Sequence, residues 1–143
     1  MDSKLILYPL LAMFLLVCLV AITMFRRRVT FYKTKRVHPQ KTATSAEMLA
    51  VMPDQRAPDN FRNLFETPVL FYVAILTIYV TGMVVFIPIL ILAWAYVACR
   101  FVHSYIHCTS NSVMRRFYAF ASSCLLLLCI WFLLAYQLLF FVR

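Results

Sequence analysis

The stretch NLFETPVLFYVAILTIYVTG, Asn63 to Gly82, carries the reading of the fold. From Thr67 to Thr81 it holds no charged residue, and it ends on the only glycine of the chain. A helix needs about 20 residues to cross the roughly 30 Å hydrocarbon core of a bilayer. The apolar part is shorter than that, so a spanning helix must borrow residues upstream, and Glu66 is among them. A charged side chain at the centre of a spanning helix costs about 2.5 to 3.5 kcal/mol on insertion scales, and less towards the interface. Glu66 therefore needs a partner or a wet cavity.

The rest of the chain agrees with a membrane reading. Of 143 residues 64% are apolar and 13% charged, with 14 Lys plus Arg against 5 Asp plus Glu and a formal charge of +9. Soluble domains carry about 25% charged residues, so water alone is a poor solvent for this chain. One glycine and five cysteines exclude a Gly-rich phosphate cradle, a collagenous chain and a disulfide-dense scaffold. Three further apolar blocks run from Leu5 to Phe25, from Met83 to Cys99 and from Phe117 to Val142. The first resembles a signal peptide, but its basic cluster follows the apolar run and no cleavage site is present. The expectation is one all-α integral membrane domain over residues 1–143, a bundle of four transmembrane helices near 5–25, 62–81, 83–107 and 115–142.

Cations set the orientation. The connection over residues 26–61 is rich in them, beginning with Arg26, Arg27 and Arg28, and the third connection adds Arg100, Arg115 and Arg116. Both belong on the cytoplasmic side, which sends both termini and the uncharged Gly82 turn to the other face. Attraction to anionic headgroups accounts for most of the charge. Nucleic acid is not expected as a partner, because no aromatic or base-reading motif is interleaved with the basic runs. Pro39, Pro53 and Pro58 make the first connection read as mostly irregular chain. Thr44, three residues before Glu47, fits a capping box. It would open either a short helix on the membrane surface or a loop.

Polar residues converge on one level. Arg62, Asn63 and Glu66 fall at helical spacing on one face, with Pro68 expected to bend the chain just after them. Tyr96, Arg100, His103 and His107 recur at the helical period. A hairpin turning at Gly82 brings Glu66 and Arg100 to nearly equal depth, as partners. Two readings follow: a structural ion pair with the histidines snorkelling to the interface, or a site for a small, multiply charged ligand. Arg115 and Arg116 add cations at the same level, and arginines anchor carboxylates bidentately. Metal binding at His103 and His107 is not expected, since the pair lacks further ligands.

In these residues the chain resembles the membrane-associated proteins in eicosanoid and glutathione metabolism, the MAPEG family, which includes microsomal glutathione transferases and a lipoxygenase-activating protein. The likeness spans nearly the whole chain. It rests most specifically on Asn63-Leu64-Phe65-Glu66 with Pro68, and on Ala98-Cys99-Arg100 with His103. It implies a homotrimer in the lipid bilayer, with glutathione as co-substrate and a lipophilic small molecule as the second substrate. It also implies that Asn63, Glu66 and Arg100 hold glutathione, while Arg116, or else Arg115, stabilises the thiolate; Arg62, His103, His107 and Tyr105 join the candidate site by their nearness to these residues. Two positions depart from the family pattern: Asp59 stands where an Arg is common, and His107 where a Tyr is common. The expected function is a glutathione-dependent transferase or peroxidase; the alternative is a non-catalytic member that binds or presents lipid.

Overall fold

The computed structural model describes residues 3–82 and 87–140, and every regular element in them is a helix. A 3-10 turn, Ser3–Ile6, leads into α1, Leu7–Lys35, and a second 3-10 turn, Pro39–Thr42, precedes α2, Ser45–Val51. Then come α3, Arg56–Asn63, α4, Thr67–Val80, α5, Ile87–Cys108, and α6, Val113–Phe140. Among the described residues four stretches are long and apolar enough to cross a membrane: Lys4–Lys35, Arg56–Val80, Ile87–Cys108 and Val113–Phe140. The expected start of the third helix at residue 83 and end of the fourth at 142 lie outside the described residues.

The bundle closes around Met13, Leu16 and Val20 of α1, Phe71, Ile75 and Ile78 of α4, Ala93 and Tyr96 of α5, and Ile130 and Leu134 of α6. Phe71 and Tyr96 stack with ring centroids 4.4 Å apart. Large apolar side chains also face outward, among them Phe14, Val80, Leu125 and Phe132. A soluble protein does not expose so much apolar surface; in lipid it is the surface that should face out. Gly82 stops α4 with φ of +64°, a left-handed geometry that a residue without Cβ adopts freely.

Two expectations about the first connection are corrected. Helix α1 continues past Phe25 to Lys35 and ends on Arg36, whose φ is 52°. No Gly or Pro interrupts residues 26–35, and Lys and Arg are good helix formers. Nor is the rest of the connection mostly irregular: α2 and α3 occupy much of it. Thr44 opens α2 with both bonds of a capping box, Glu47 N–H to Thr44 Oγ1 at 3.2 Å and Thr44 N–H to Glu47 Oε2 at 2.9 Å. Met48 and Met52 are buried within the protein, whereas Leu49 and Val51 are exposed.

The second span is broken. Helix α3 stops at Asn63 and α4 restarts at Thr67, with Pro68 in its first turn. Pro68 has no N–H for the Leu64 carbonyl, and its ring would collide with that carbonyl in a continuous helix. The expected bend is thus a short interruption over 64–66.

One ionic clamp holds α3 and the basic end of α1 to the end of α5. Asp54 accepts from Arg56 at 2.7 and 2.9 Å and lies 3.5 Å from Arg27. The same arginines donate to the last carbonyls of α5, Arg27 Nη2 to Cys108 O and Arg56 Nη1 to Thr109 O, both at 2.5 Å. Cations there also oppose the negative end of the helix dipole. The Arg56 hydrogen bond, opposed in part by burial, holds the Asp54 carboxyl below its ordinary value of 3.8. Its contribution to stability is therefore complete above about pH 5 and is lost as pH falls through the lowered value. Asp54→Asn should cost about 1 kcal/mol at pH 7, since the cluster is partly exposed. Thermal denaturation in detergent should show that difference at pH 7 and a smaller one at pH 3.

Candidate functional site

At the basic end of the bundle a cleft of about 440 Å³ opens between α3, the break after it, the last turns of α5 and the first turns of α6. Asp59, Arg62 and Asn63 line it from α3, Glu66 from the break, His103 and His107 from α5, and Arg116, Phe117 and Phe120 from α6. The helical spacing on α5 sets Tyr96, Arg100, His103 and His107 on its buried face, with relative exposures of 1, 0, 3 and 7%. The histidines therefore do not snorkel to the interface; they form the inner wall.

The expected direct pairing of Glu66 with Arg100 is not what forms. Arg100 Nη2 donates to Asn63 Oδ1 at 2.5 Å and to the Asn63 carbonyl at 3.3 Å, and Asn63 Nδ2 donates to Glu66 Oε2 at 3.1 Å. Asn63 bridges guanidinium and carboxylate. Glu66 itself is exposed, and the ion pairs among the described residues are Arg27–Asp54, Arg56–Asp54 and Arg62–Asp59. The physical reason is the break at 64–66, which turns Glu66 out of the helix face that an unbroken span would have pointed at α5.

Arg100 lies behind the cleft rather than in its lining. Its guanidinium carbon sits 5.7 Å from the centre of the Phe120 ring, close enough for a cation–π contact. Its Nε and Nη1 are buried without an acceptor among the described residues. A buried cation so sparsely bonded is costly. What it does from there is fix the Asn63 amide, carbonyl oxygen inward and NH2 towards Glu66, and add positive potential beneath the cleft floor.

Arg116 is held by the turn before α6. Its Nη1 donates to Asn111 Oδ1 at 2.6 Å, and Asn111 adopts φ of 50°, a left-handed conformation that Asn tolerates. His103 Nδ1 lies 3.1 Å from the Arg116 carbonyl. A carbonyl only accepts, so this contact requires the proton on Nδ1 and leaves Nε2 as an acceptor. Arg62 meets Asp59 at 3.8 Å in an exposed pair. Two candidates fall elsewhere. Arg115 is exposed and outside the cleft lining, and Tyr105, 72% exposed, stands across α5 from the histidines, beside Leu19 and Thr23. A two-residue offset turns a side chain by about 200° around a helix, which separates Tyr105 from His103 and His107.

Sequence reading missed Asn60, Ser104 and Asn111. Asn60 is fully buried, accepts from Ser104 Oγ at 3.3 Å and donates to Cys108 Sγ at 3.4 Å. The signal was present: Asn60 precedes Asn63 by three, and Ser104 precedes Cys108 by four, so each pair shares a helix face. Asn60→Ala should cost about 2 kcal/mol, the penalty for stranding buried polar partners, read as a lower denaturation midpoint in detergent with the cleft residues unaltered.

The arrangement combines cations from two helices with two carboxylates in one cavity. It suits a small zwitterion rather than a simple anion, and its volume lies within the roughly 300–1,000 Å³ range of small-ligand sites. In comparisons with curated proteins and with solved structures no match is found. The model of the MAPEG family matches residues 5–136, nearly the whole chain, including the break, the polar face of α5 and the start of α6. With that match over four membrane-crossing helices, the chain belongs to the MAPEG family of integral membrane proteins.

Proposed function

We propose that this protein is a glutathione-dependent membrane enzyme, a transferase or peroxidase acting on lipophilic electrophiles or lipid hydroperoxides. We further infer that it works as a homotrimer with its basic end in the cytoplasm. The observation that carries the reading is the string Arg100–Asn63–Glu66 facing Arg116 and two histidines across one cleft. Glutathione has two carboxylates, one ammonium and one thiol. The Glu66 carboxylate suits the ammonium end, while the Asn63 NH2, Arg62 and Arg116 suit anionic groups. A free thiol has a pKa of about 8.5, and a fixed guanidinium beside it favours the thiolate. In a transferase the thiolate sulfur then bonds to the electrophilic carbon, whose leaving group departs with the electron pair.

The second reading, a non-catalytic member that binds or presents lipid, draws on Asp59. This carboxylate lies in the cleft and pairs with Arg62, which lowers the positive charge facing a tripeptide. Conjugation of a generic aromatic electrophile by the purified protein separates the two. The enzyme reading expects turnover that requires glutathione and saturates with it. Glutathione-dependent turnover no faster than the uncatalysed reaction, with both the electrophile and a lipid hydroperoxide, would discard that reading in favour of the second.

A further inference from the structure

Two further cavities on the bundle meet at Arg27, which lines both, and the recess they make together shares no residue with the polar cleft. Its lower part, about 300 Å³ between α1 and α5, is lined mainly by apolar groups, Leu16, Leu19, Val20 and Phe101 among them. Its upper part, about 450 Å³ between the end of α1 and the segment before α3, is lined by Arg26, Arg27, Lys35 and Arg56, with a single acid, Asp54. Arg27 lines both parts. On α1 the lining residues Leu16, Val20, Thr23, Arg27, Thr30 and Thr34 recur every three or four positions, so one helix face carries the whole strip.

The strip changes character at the depth where a bilayer does. From Lys4 to Arg26 a helix rises about 33 Å, close to the roughly 30 Å of the hydrocarbon core. Leu16 to Thr23 then lie at acyl-chain depth, and Arg26 to Lys35 at headgroup depth. Arg27 and Arg56 are fixed by Asp54 and by the carbonyls of Cys108 and Thr109. Arg26 and Lys35 form no ion pair among the described residues, and the Thr30 and Thr34 hydroxyls stand on the same side. Four cations against one carboxylate, set above an apolar groove, match an amphiphile with a phosphate at its head.

We propose that this recess is a binding site for one anionic glycerophospholipid, its headgroup lying among Arg26, Arg27 and Lys35 and an acyl chain lying between α1 and α5 along Leu19 and Phe101. The site differs from a diffuse attraction to a charged membrane in needing both halves of one molecule in one place. It would brace the Arg27–Asp54–Arg56 clamp from outside.

The full chain in detergent tests this with dioleoyl phosphatidylglycerol, dioleoyl phosphatidylcholine, glycerol phosphate and inorganic phosphate as probes. Native mass spectrometry should retain one phosphatidylglycerol per chain and no phosphatidylcholine, and only phosphatidylglycerol should raise the denaturation midpoint. Arg26→Gln with Lys35→Gln should weaken retention about 30-fold, each cation at a membrane surface contributing about fivefold. Leu19→Trp, which fills the groove and leaves every cation in place, should weaken it at least about tenfold by excluding the acyl chain. Both variants alter exposed positions, and their midpoints without lipid report folding separately. Equal retention of phosphatidylcholine, undiminished retention by either variant, or the full midpoint shift with inorganic phosphate alone would each overturn the proposal, the last by assigning the upper recess to a free anion.

Discussion

Arg100→Met is expected to leave the protein at least as resistant to heat as the unaltered chain while weakening glutathione binding about 30-fold. The two effects diverge because Arg100 is fully buried yet its Nε and Nη1 have no acceptor among the described residues. Replacing a poorly compensated buried charge by an apolar side chain of similar size is often neutral or stabilising. Binding suffers because Asn63 loses the donor that fixes its amide at 2.5 Å. A hydrogen bond to a charged group contributes about 1.5 to 3 kcal/mol, which is roughly 10-fold to 150-fold in affinity. Asn63→Ala provides the contrast. It strands the guanidinium with no amide, so it should lower stability by about 2 to 3 kcal/mol as well as abolish binding. Denaturation in detergent and calorimetry on the same preparations give both quantities. If Arg100→Met unfolds the protein and Asn63→Ala is tolerated, the arginine is a structural pin and its role behind the ligand site is lost.

Arg116→Ala should lower kcat/KM for glutathione conjugation about 100-fold to 1,000-fold at pH 7. Removing one preorganised donor from an anion in an active site typically costs that much, about 2.7 to 4 kcal/mol. The deficit should shrink as pH rises past 8.5, because the thiolate then forms without a neighbouring cation. Arg115→Ala, at an exposed position outside the cleft, should change the rate by less than twofold. Initial rates from pH 6.5 to 9 at limiting glutathione distinguish the outcomes. A pH-independent deficit at Arg116 would assign the residue to binding alone.

Much of this architecture was legible in the sequence. Four apolar blocks gave four crossings, because the bilayer imposes a minimum length that few other environments require. Period-four and period-three spacing placed Arg100, His103 and His107 together, because a helix leaves no other way to arrange them. What escaped was decided by single backbone events. The interruption at 64–66 turned Glu66 away from Arg100 and made Asn63 the bridge, and spacing alone could not say which side of a proline-induced break a residue takes. The preference for Arg116 over Arg115 came from the family resemblance alone, since spacing could not say which of two neighbours faces the cleft; the turn at Asn111 that starts α6 holds Arg116 there and leaves Arg115 exposed. Tyr105 was grouped with the site by nearness in sequence, although two residues along a helix is nearly opposite in space. The capping box at Thr44 left α2 open between helix and loop, and α3 went unread because the three prolines of this connection suggested irregular chain, whereas Pro39 and Pro58 each stand in the first turns of a helix, where no N–H is missed.

Isothermal titration of the detergent-solubilised protein with glutathione tests the central claim most directly, since it needs no knowledge of the lipophilic partner. The polar cleft predicts saturable binding with Kd of about 1 mM or tighter, one tripeptide per cleft, lost in Asn63→Ala and retained in Arg115→Ala. No saturable heat with the unaltered, folded protein, or equal binding by Asn63→Ala, would contradict it.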